Sequence, residues 1–202
     1  MEAKLDIGVS DGRISEFVAL LRSGFRVKTQ VGCNVKDFLC GQMGLSTDYY
    51  ENRILTLFLN SKPVDNPESA RVQDGAILAL SAAMPGLVGA TMRRGGHYGR
   101  LRGSITHGDD NQSCETSTGW VTLKLFNLVL KELGPYFLNQ GVWLDSRIIR
   151  DFFKDQAGGL DADIQGVNWN GEEISPQDML SLDWPEGCVF VRITNQQPLP
   201  VA

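Results

Sequence analysis

Residues 35–44, Val-Lys-Asp-Phe-Leu-Cys-Gly-Gln-Met-Gly, return 114 positions later as Ile-Arg-Asp-Phe-Phe-Lys-Asp-Gln-Ala-Gly at residues 149–158. Aspartate, phenylalanine, glutamine and glycine occupy the same places in both stretches. In the first stretch, Val35, Phe38 and Leu39 have the spacing of three to four residues that is typical of an apolar helix face. A helix that occurs twice predicts an internally repeated chain.

The segments that follow each predicted helix also resemble each other. Residues 59–64, Leu-Asn-Ser-Lys-Pro-Val, match residues 169–174, Trp-Asn-Gly-Glu-Glu-Ile. Residues 74–80, Asp-Gly-Ala-Ile-Leu-Ala-Leu, match residues 186–192, Glu-Gly-Cys-Val-Phe-Val-Arg, so that the offset slips to between 110 and 112. Each pair places a polar turn before an apolar strand, which supports the repeat.

The same order of elements is predicted in both copies. Copy one has extended arms over 16–22 and 25–31, a helix over about 34–42 with Asn34 as N-cap, and strands over 54–59 and 76–81. Copy two has extended arms over 121–126 and 136–144, a helix over about 145–154 capped by Asp145 or Ser146, and strands over 165–169 and 188–193. A hairpin followed by a helical crossover predicts a mixed sheet, and therefore an α+β fold.

This arrangement resembles the ubiquitin-like β-grasp superfamily, which includes ubiquitin, the small subunit of molybdopterin synthase and the thiamine sulfur carrier. The resemblance rests on residues 16–44, 58–64 and 72–80. It implies two tandem β-grasp domains, each a mixed sheet packed on one main helix. We expect domain 1 at residues 1–85, a Gly/Arg-rich connecting segment and linker at 86–118, and domain 2 at 119–202.

Composition restricts the function classes. The chain has 202 residues, 42% of them hydrophobic, and a formal net charge of -5, which predicts a folded protein and argues against nucleic acid as a partner. Residues 1–102 carry 13 basic and 10 acidic side chains, whereas residues 103–202 carry 6 and 14, so the two halves present different charge. The longest uncharged stretch, 76–92, contains Pro85, Gly86 and Gly89, and no secretory signal is apparent. We therefore expect no membrane span and a cytoplasmic location.

The densest positive cluster is residues 93–102, Arg-Arg-Gly-Gly-His-Tyr-Gly-Arg-Leu-Arg, which holds four arginines, one histidine and no acid. Guanidinium groups bind carboxylate or phosphate through paired hydrogen bonds. The sequence therefore predicts an anion-binding or protein-interaction surface, against the alternative of a solvated basic loop. The predicted contact residues are Arg93, Arg94, His97, Arg100 and Arg102, with Trp184 as a further interface anchor.

Gly95 and Gly96 suggest a second interpretation of this cluster. Ubiquitin-like modifiers act through a C-terminal diglycine, whereas this sequence ends Gln-Pro-Leu-Pro-Val-Ala. An Arg-Gly-Gly that lies inside the chain would need cleavage after Gly96 to expose such a tail. The alternative in which the two glycines serve only a turn is favoured, and the purified protein is expected to stay full length.

Patterns for catalysis and metal binding are weak. His97, His107, Asp109 and Asp110 could form a ligand set, and Asp145, Asp151, Asp155, Asp161 and Asp163 could form a carboxylate cluster, but solvated loops and helix faces explain both groups. The four cysteines, at positions 33, 40, 114 and 188, lack CxxC spacing and are expected to be reduced thiols. We predict no catalytic residue, no metal and no cofactor.

The sequence favours a tandem ubiquitin-like protein that acts without catalysis, as a protein-binding module or modifier. Its expected partners are other proteins, with an E1-like adenylating enzyme or an acidic protein as candidates. Two alternatives stay open. One is a sulfur-carrier or modifier precursor activated after cleavage behind Gly96, and the other is a small enzyme or anion-binding protein that uses the Arg/Gly-rich segment.

Overall fold

The computed structural model describes residues 2–103, 105–108, 116–156 and 164–195, which form an α+β structure. Its strands are β1 (Lys4–Val9), β2 (Phe25–Val31), β3 (Thr56–Leu59), β4 (Lys62–Pro63), β5 (Ile77–Ser81), β6 (Ser117–Phe126), β7 (Val142–Asp145), β8 (Ile164–Trp169), β9 (Glu172–Ile174) and β10 (Cys188–Asn195). The α-helices are α1 (Thr47–Asn52), α2 (Gly86–Met92), α3 (Asn127–Gln140) and α4 (Ser146–Asp155). The 3-10 helices cover Arg13–Leu21, His97–Arg102 and Pro176–Ser181, and a π-helical turn covers Asp37–Gln42.

The strands form one mixed sheet in the order β4-β3-β5-β6-β2-β7-β10-β1-β8-β9. The α+β class is therefore confirmed, whereas the prediction of two separate sheets is wrong. That prediction confined strand pairing to each of the two expected domains, residues 1–85 and 119–202. In the structure β5 pairs with β6, and β1 pairs with β10, both in parallel. A parallel pair requires a long crossover, so its partners are distant in sequence.

The chain divides into two compact units. The central unit is residues 26–130, and the terminal unit combines residues 1–25 with 131–200. In this division β6, expected in domain 2, belongs to the central unit, and β1 belongs to the terminal unit. In each unit, antiparallel strands lie next to the parallel pair. In the central unit β3 pairs with β5, and in the terminal unit β7 pairs with β10 and β8 pairs with β1.

The predicted helix of the central unit is confirmed in position and capping. The Asn34 side chain accepts a hydrogen bond from the Asp37 amide at 2.8 Å, which is an N-cap contact. Val35 and Leu39 are fully buried on this helix. At its end, Gln42 Nε2 donates to the Gln30 carbonyl of β2 at 2.9 Å, which joins the helix to the sheet.

The predicted helix of the terminal unit is confirmed as α4. Asp145 is its N-cap and accepts from the Arg147 amide at 2.9 Å. Ile149 and Phe153 are buried, at the positions that match Val35 and Leu39 in the sequence repeat. The Phe17 ring lies 6.4 Å from the Phe153 ring, so the 3-10 helix over Arg13–Leu21 packs on α4.

Two predicted extended segments are helical, and one predicted loop is a helix. Residues 16–22 lie mostly in a 3-10 helix, and the strand at this end of the chain is β1, which the sequence analysis did not predict. Residues 136–140 belong to α3 instead of an extended arm, and residues 86–92 form α2.

The predicted break near 104–118 lies partly outside the described residues. None of the described helices has the length and apolarity needed to cross a bilayer.

Candidate functional site

The Arg/Gly-rich segment, residues 86–103, folds as α2, a turn and a 3-10 helix that contacts α2. Arg102 anchors it to the body of the central unit. Its guanidinium donates to both carboxylate oxygens of Asp65, at 2.9 and 2.6 Å, and its side chain is 2% exposed. It also donates to the carbonyls of Thr91 and Arg93. Arg102 is therefore a structural residue of this segment and is not available to a partner.

Arg94 forms the second anchor. Its guanidinium lies 4.5 Å from the centre of the Tyr50 ring, and its Nη2 donates to the Tyr50 carbonyl at 3.3 Å. Its backbone amide donates to the Leu55 carbonyl at 2.8 Å. Burial raises the pKa of the Tyr50 phenol, and the positive charge of Arg94 opposes that shift only in part. Arg94 thus joins the start of the glycine turn to Tyr50 of α1 and to Leu55, which follows α1 in the chain.

The remaining predicted contact residues, Arg93, His97 and Arg100, are exposed. Large apolar side chains of the same segment are exposed beside them in the chain: Leu87 by 70%, Val88 by 66% and Leu101 by 75%, the highest values among large hydrophobic residues of the described chain. No acidic residue occurs between Gly75 and Gly108. We call Arg93, His97, Arg100, Leu87, Val88 and Leu101 the basic–apolar surface.

Gly95 and Gly96 form the turn between α2 and the following 3-10 helix. Gly95 has a φ of 63°, a left-handed conformation that favours glycine. A Cβ on Gly96 would lie 3.1 Å from the Arg93 carbonyl oxygen, which accepts a hydrogen bond from the Gly96 amide. Both positions of the turn therefore favour glycine, and Arg94 and Arg102 hold the segment before and after it. Processing after Gly96 stays a prediction.

Trp184 is half-buried in the terminal unit. Its ring packs edge-on against Trp169, with centroids 5.2 Å apart, and its Nε1 donates to the Met179 carbonyl at 3.2 Å. Both contacts hold the indole within its own unit. Trp184 thus belongs to the terminal unit, whereas the predicted arginine cluster belongs to the central unit, and its ring is a packed, partly exposed aromatic.

The weak catalytic and metal candidates are described only in part, because Asp161 and Asp163 of the predicted carboxylate cluster lie outside the described residues. His97 is exposed and lies edge-on to Tyr98, while Asp109 and Asp110 lie outside the described residues. No cluster of three metal-ligating side chains is present in the described ranges. Burial raises the pKa of the Cys33 and Cys40 thiols, which disfavours the nucleophilic thiolate. Asp145 is committed to capping α4.

A second candidate, which the sequence analysis missed, is the solvent-facing side of β2, β3, β5 and β6 in the central unit, which we call the outer face of the central sheet. The Arg26 guanidinium lies 4.6 Å, and the Lys28 ammonium 5.6 Å, from the centre of the Trp120 ring. Lys124 and Phe126 follow on the same side of β6, because side chains alternate along a strand. The sequence did carry a signal for this face, because exposed and buried side chains alternate along β6. The partly exposed residues are Trp120, Thr122, Lys124 and Phe126, and the buried ones are Val121, Leu123 and Leu125. None of the described strand positions on this face is acidic.

A pocket lies in this outer face. It has a volume of about 420 Å³ and is lined by residues of β3, the β3–β4 turn, β5, the segment after β5, β6 and the start of α3: Phe58, Ser61, Ile77, Ala79, Leu80, Ser81, Met84, Lys124, Phe126 and Asn127. Ala79 pairs with Phe58 on one side and with Lys124 on the other. The small alanine between longer side chains forms the bottom of the pocket.

Comparisons with models of known protein families, with curated proteins and with solved structures gave no match.

Proposed function

We propose that the protein is a non-enzymatic binding module whose basic–apolar surface docks on an acidic surface of a partner protein. The observation that carries the proposal is that one short segment without an acidic residue exposes both Arg93 and Arg100 and the large apolar side chains Leu87, Val88 and Leu101. Exposed apolar side chains beside cations are typical of protein interaction sites. The ubiquitin-like resemblance, and an adenylating enzyme as one such partner, remain part of the proposal.

The internal anchors support a preorganised surface. Arg102 is paired with Asp65 and Arg94 with Tyr50, so the backbone that carries the exposed residues is held before a partner arrives. A segment already ordered loses less conformational entropy on binding than a free loop does. This arrangement separates the arginines by role: Arg94 and Arg102 hold the segment, whereas Arg93 and Arg100 contact the partner.

A protein fits this surface better than a nucleic acid. The chain has a net charge of -5, which repels an extended polyphosphate strand. The exposed leucines and valine need an apolar surface opposite them, and a phosphate backbone does not provide one. An acidic protein surface with apolar side chains satisfies both requirements.

Binding to designed peptides tests the proposal. Three peptides of about 16 residues share the same leucine positions and carry aspartate, serine or lysine between them. The full-length protein is compared with the double variant Arg93→Glu/Arg100→Glu. The control, Arg22→Glu/Lys131→Glu, makes the same change in charge at exposed residues of the terminal unit.

We expect the acidic peptide to bind tightest and to lose about tenfold in affinity with Arg93→Glu/Arg100→Glu, as two lost charge contacts imply. The loss should appear mainly in the association rate and should shrink as salt is added. An equal loss in the control variant would contradict the proposal. Tighter binding of a single-stranded oligonucleotide than of the acidic peptide would contradict the choice of partner.

A further inference from the structure

The pocket in the outer face of the central sheet has the composition of a ligand site. Phe58, Ile77, Met84 and Phe126 supply apolar walls, and Ile77 and Phe126 are 41% and 45% exposed. Small-molecule pockets are concave and mostly apolar, with a few polar groups that orient the ligand. The volume of about 420 Å³ lies within the range of such sites.

The polar groups of the pocket select the charge of the ligand. Lys124 makes no ion pair with any described residue, and no carboxylate lines the pocket. Beside it, Asn127 Nδ2 donates to the Ser81 hydroxyl at a long 3.5 Å, which leaves both side chains able to form a better hydrogen bond. An unpaired ammonium at an apolar wall favours an anionic head group on an apolar body.

The backbone around the pocket argues against a peptide. β5 is paired with β3 and β6 on its two sides, and β3 is paired with β4 and β5. Their amides and carbonyls are therefore used within the sheet. A peptide main chain laid over these strands would find few backbone partners for its own polar groups, and unpaired polar groups next to apolar walls are costly. A ligand with one polar group avoids this cost.

From these observations we propose that the pocket binds a small apolar monocarboxylic acid, with its hydrocarbon body over Ala79 and its carboxylate on Lys124. Met84 forms one wall, and its position is fixed because α2 packs on it: a Cβ on Gly89 would lie 2.1 Å from the Met84 carbonyl oxygen. The proposal concerns a site other than the basic–apolar surface and does not depend on the proposed function.

Ligand titrations monitored by NMR test the proposal on the full-length chain. Octanoate is compared with octylammonium, which has the same hydrocarbon body and the opposite charge, and with the tripeptide acetyl-Gly-Gly-Leu. The variants are Lys124→Met, which removes the charge, and Ala79→Leu, which fills the bottom of the pocket toward solvent. Thr122→Leu is the matched control, because it adds bulk to the same face at a position that does not line the pocket.

We expect octanoate to shift signals of Phe58, Ile77 and Met84 and to bind at least about fivefold tighter than octylammonium, as one half-exposed ion pair implies. Lys124→Met should abolish that preference, and Ala79→Leu should abolish binding while Thr122→Leu preserves it. Equal binding of octylammonium, an equal effect of both leucine variants, or tighter binding of the tripeptide would each overturn the proposal. A variant that loses its native NMR spectrum is replaced by Ala79→Val.

Discussion

At the scale of single residues, four arginines that look alike in sequence have two different roles. Arg93 and Arg100 are exposed, whereas Arg94 and Arg102 are held by Tyr50 and Asp65, which are 44 and 37 residues away. The sequence predicts the positive cluster but not this division, because it depends on contacts between distant parts of the chain. A substitution at either kind of arginine should therefore have different consequences.

Replacing Arg102 should destabilise the protein far more than replacing Arg100. Arg102→Met removes the paired hydrogen bonds to Asp65 and those to the Thr91 and Arg93 carbonyls, so we expect a loss of about 2 kcal/mol in the free energy of unfolding. Arg100→Met, at an exposed position, should change it by less than about 0.5 kcal/mol. Urea unfolding of both variants measures the difference, and equal losses would show that Arg102 is not an anchor.

Asp145 gives the terminal unit a pH-dependent contact. Hydrogen bonds from the Arg147 side chain, and then from its backbone amide, lower the pKa of Asp145 from 3.8 to about 2, against the opposing effect of partial burial. A carboxyl whose pKa is lower in the folded state stabilises that state above its unfolded pKa and loses this contribution as the pH falls through the folded value. The contribution should therefore be present above about pH 4 and disappear toward pH 2.

The variant Asp145→Asn tests this dependence, because asparagine keeps an N-cap acceptor and lacks the charge. Its free energy of unfolding should fall less steeply than that of the natural protein between pH 4 and pH 2. Asp183→Asn, at an exposed loop position, is the control and should keep the natural slope. If Asp145→Asn also keeps it, the contact with Arg147 contributes no measurable stability.

At the scale of elements, sequence patterns predicted most strands and helices. They failed where an apolar run is compatible with both the two-residue period of a strand and the 3.6-residue period of a helix. Strands β2, β3, β5, β6, β8 and β10 and both capped helices lie where the sequence predicts them. The run Phe-Val-Ala-Leu-Leu at 17–21 has no polar residue to separate a strand from a helix, and the structure makes it helical. In α3, Gly134 and Pro135 lie inside the helix, although both are poor helix formers.

The close approach of α3 to the 3-10 helix over Arg13–Leu21 explains Gly134. A Cβ at this position would lie 2.8 Å from both methyl groups of Val18, a stiff β-branched side chain. Gly134→Ala should therefore destabilise the protein by about 1 kcal/mol, although alanine is the better helix former. In a Val18→Ala background the same change should stabilise it, and thermal unfolding of the double-mutant cycle measures the reversal. A stabilising effect in both backgrounds would contradict the packing.

At the scale of the whole molecule, the long-range pairing of strands was outside the reach of sequence patterns. β1 is paired with β10 at the other end of the chain, and no local signal identifies such a partner. The repeat predicted two similar groups of strands and helices, and each compact unit does contain a parallel pair with antiparallel neighbours. Residues 86–103 of the connecting segment, expected as a linker, instead form α2 and a 3-10 helix of the central unit.

This placement predicts that the chain stays intact at Gly95 and Gly96. Proteolysis requires an extended, accessible segment, and here the Arg94 amide is bonded to the Leu55 carbonyl while Arg102 is buried. Intact-mass analysis of protein purified without added protease should show the full-length chain. A stable fragment ending at Gly96 would contradict the packed segment and favour the modifier-precursor alternative.

The central claim is that the basic–apolar surface is where a partner binds. Hydrogen–deuterium exchange of the full-length protein, with and without the acidic leucine peptide, tests it most directly because it reports every region at once. We predict that binding slows exchange chiefly in peptides covering residues 86–103, and that Arg93→Glu/Arg100→Glu removes this protection. Protection confined to β2 and β6, or binding that leaves residues 86–103 unchanged, would contradict the claim.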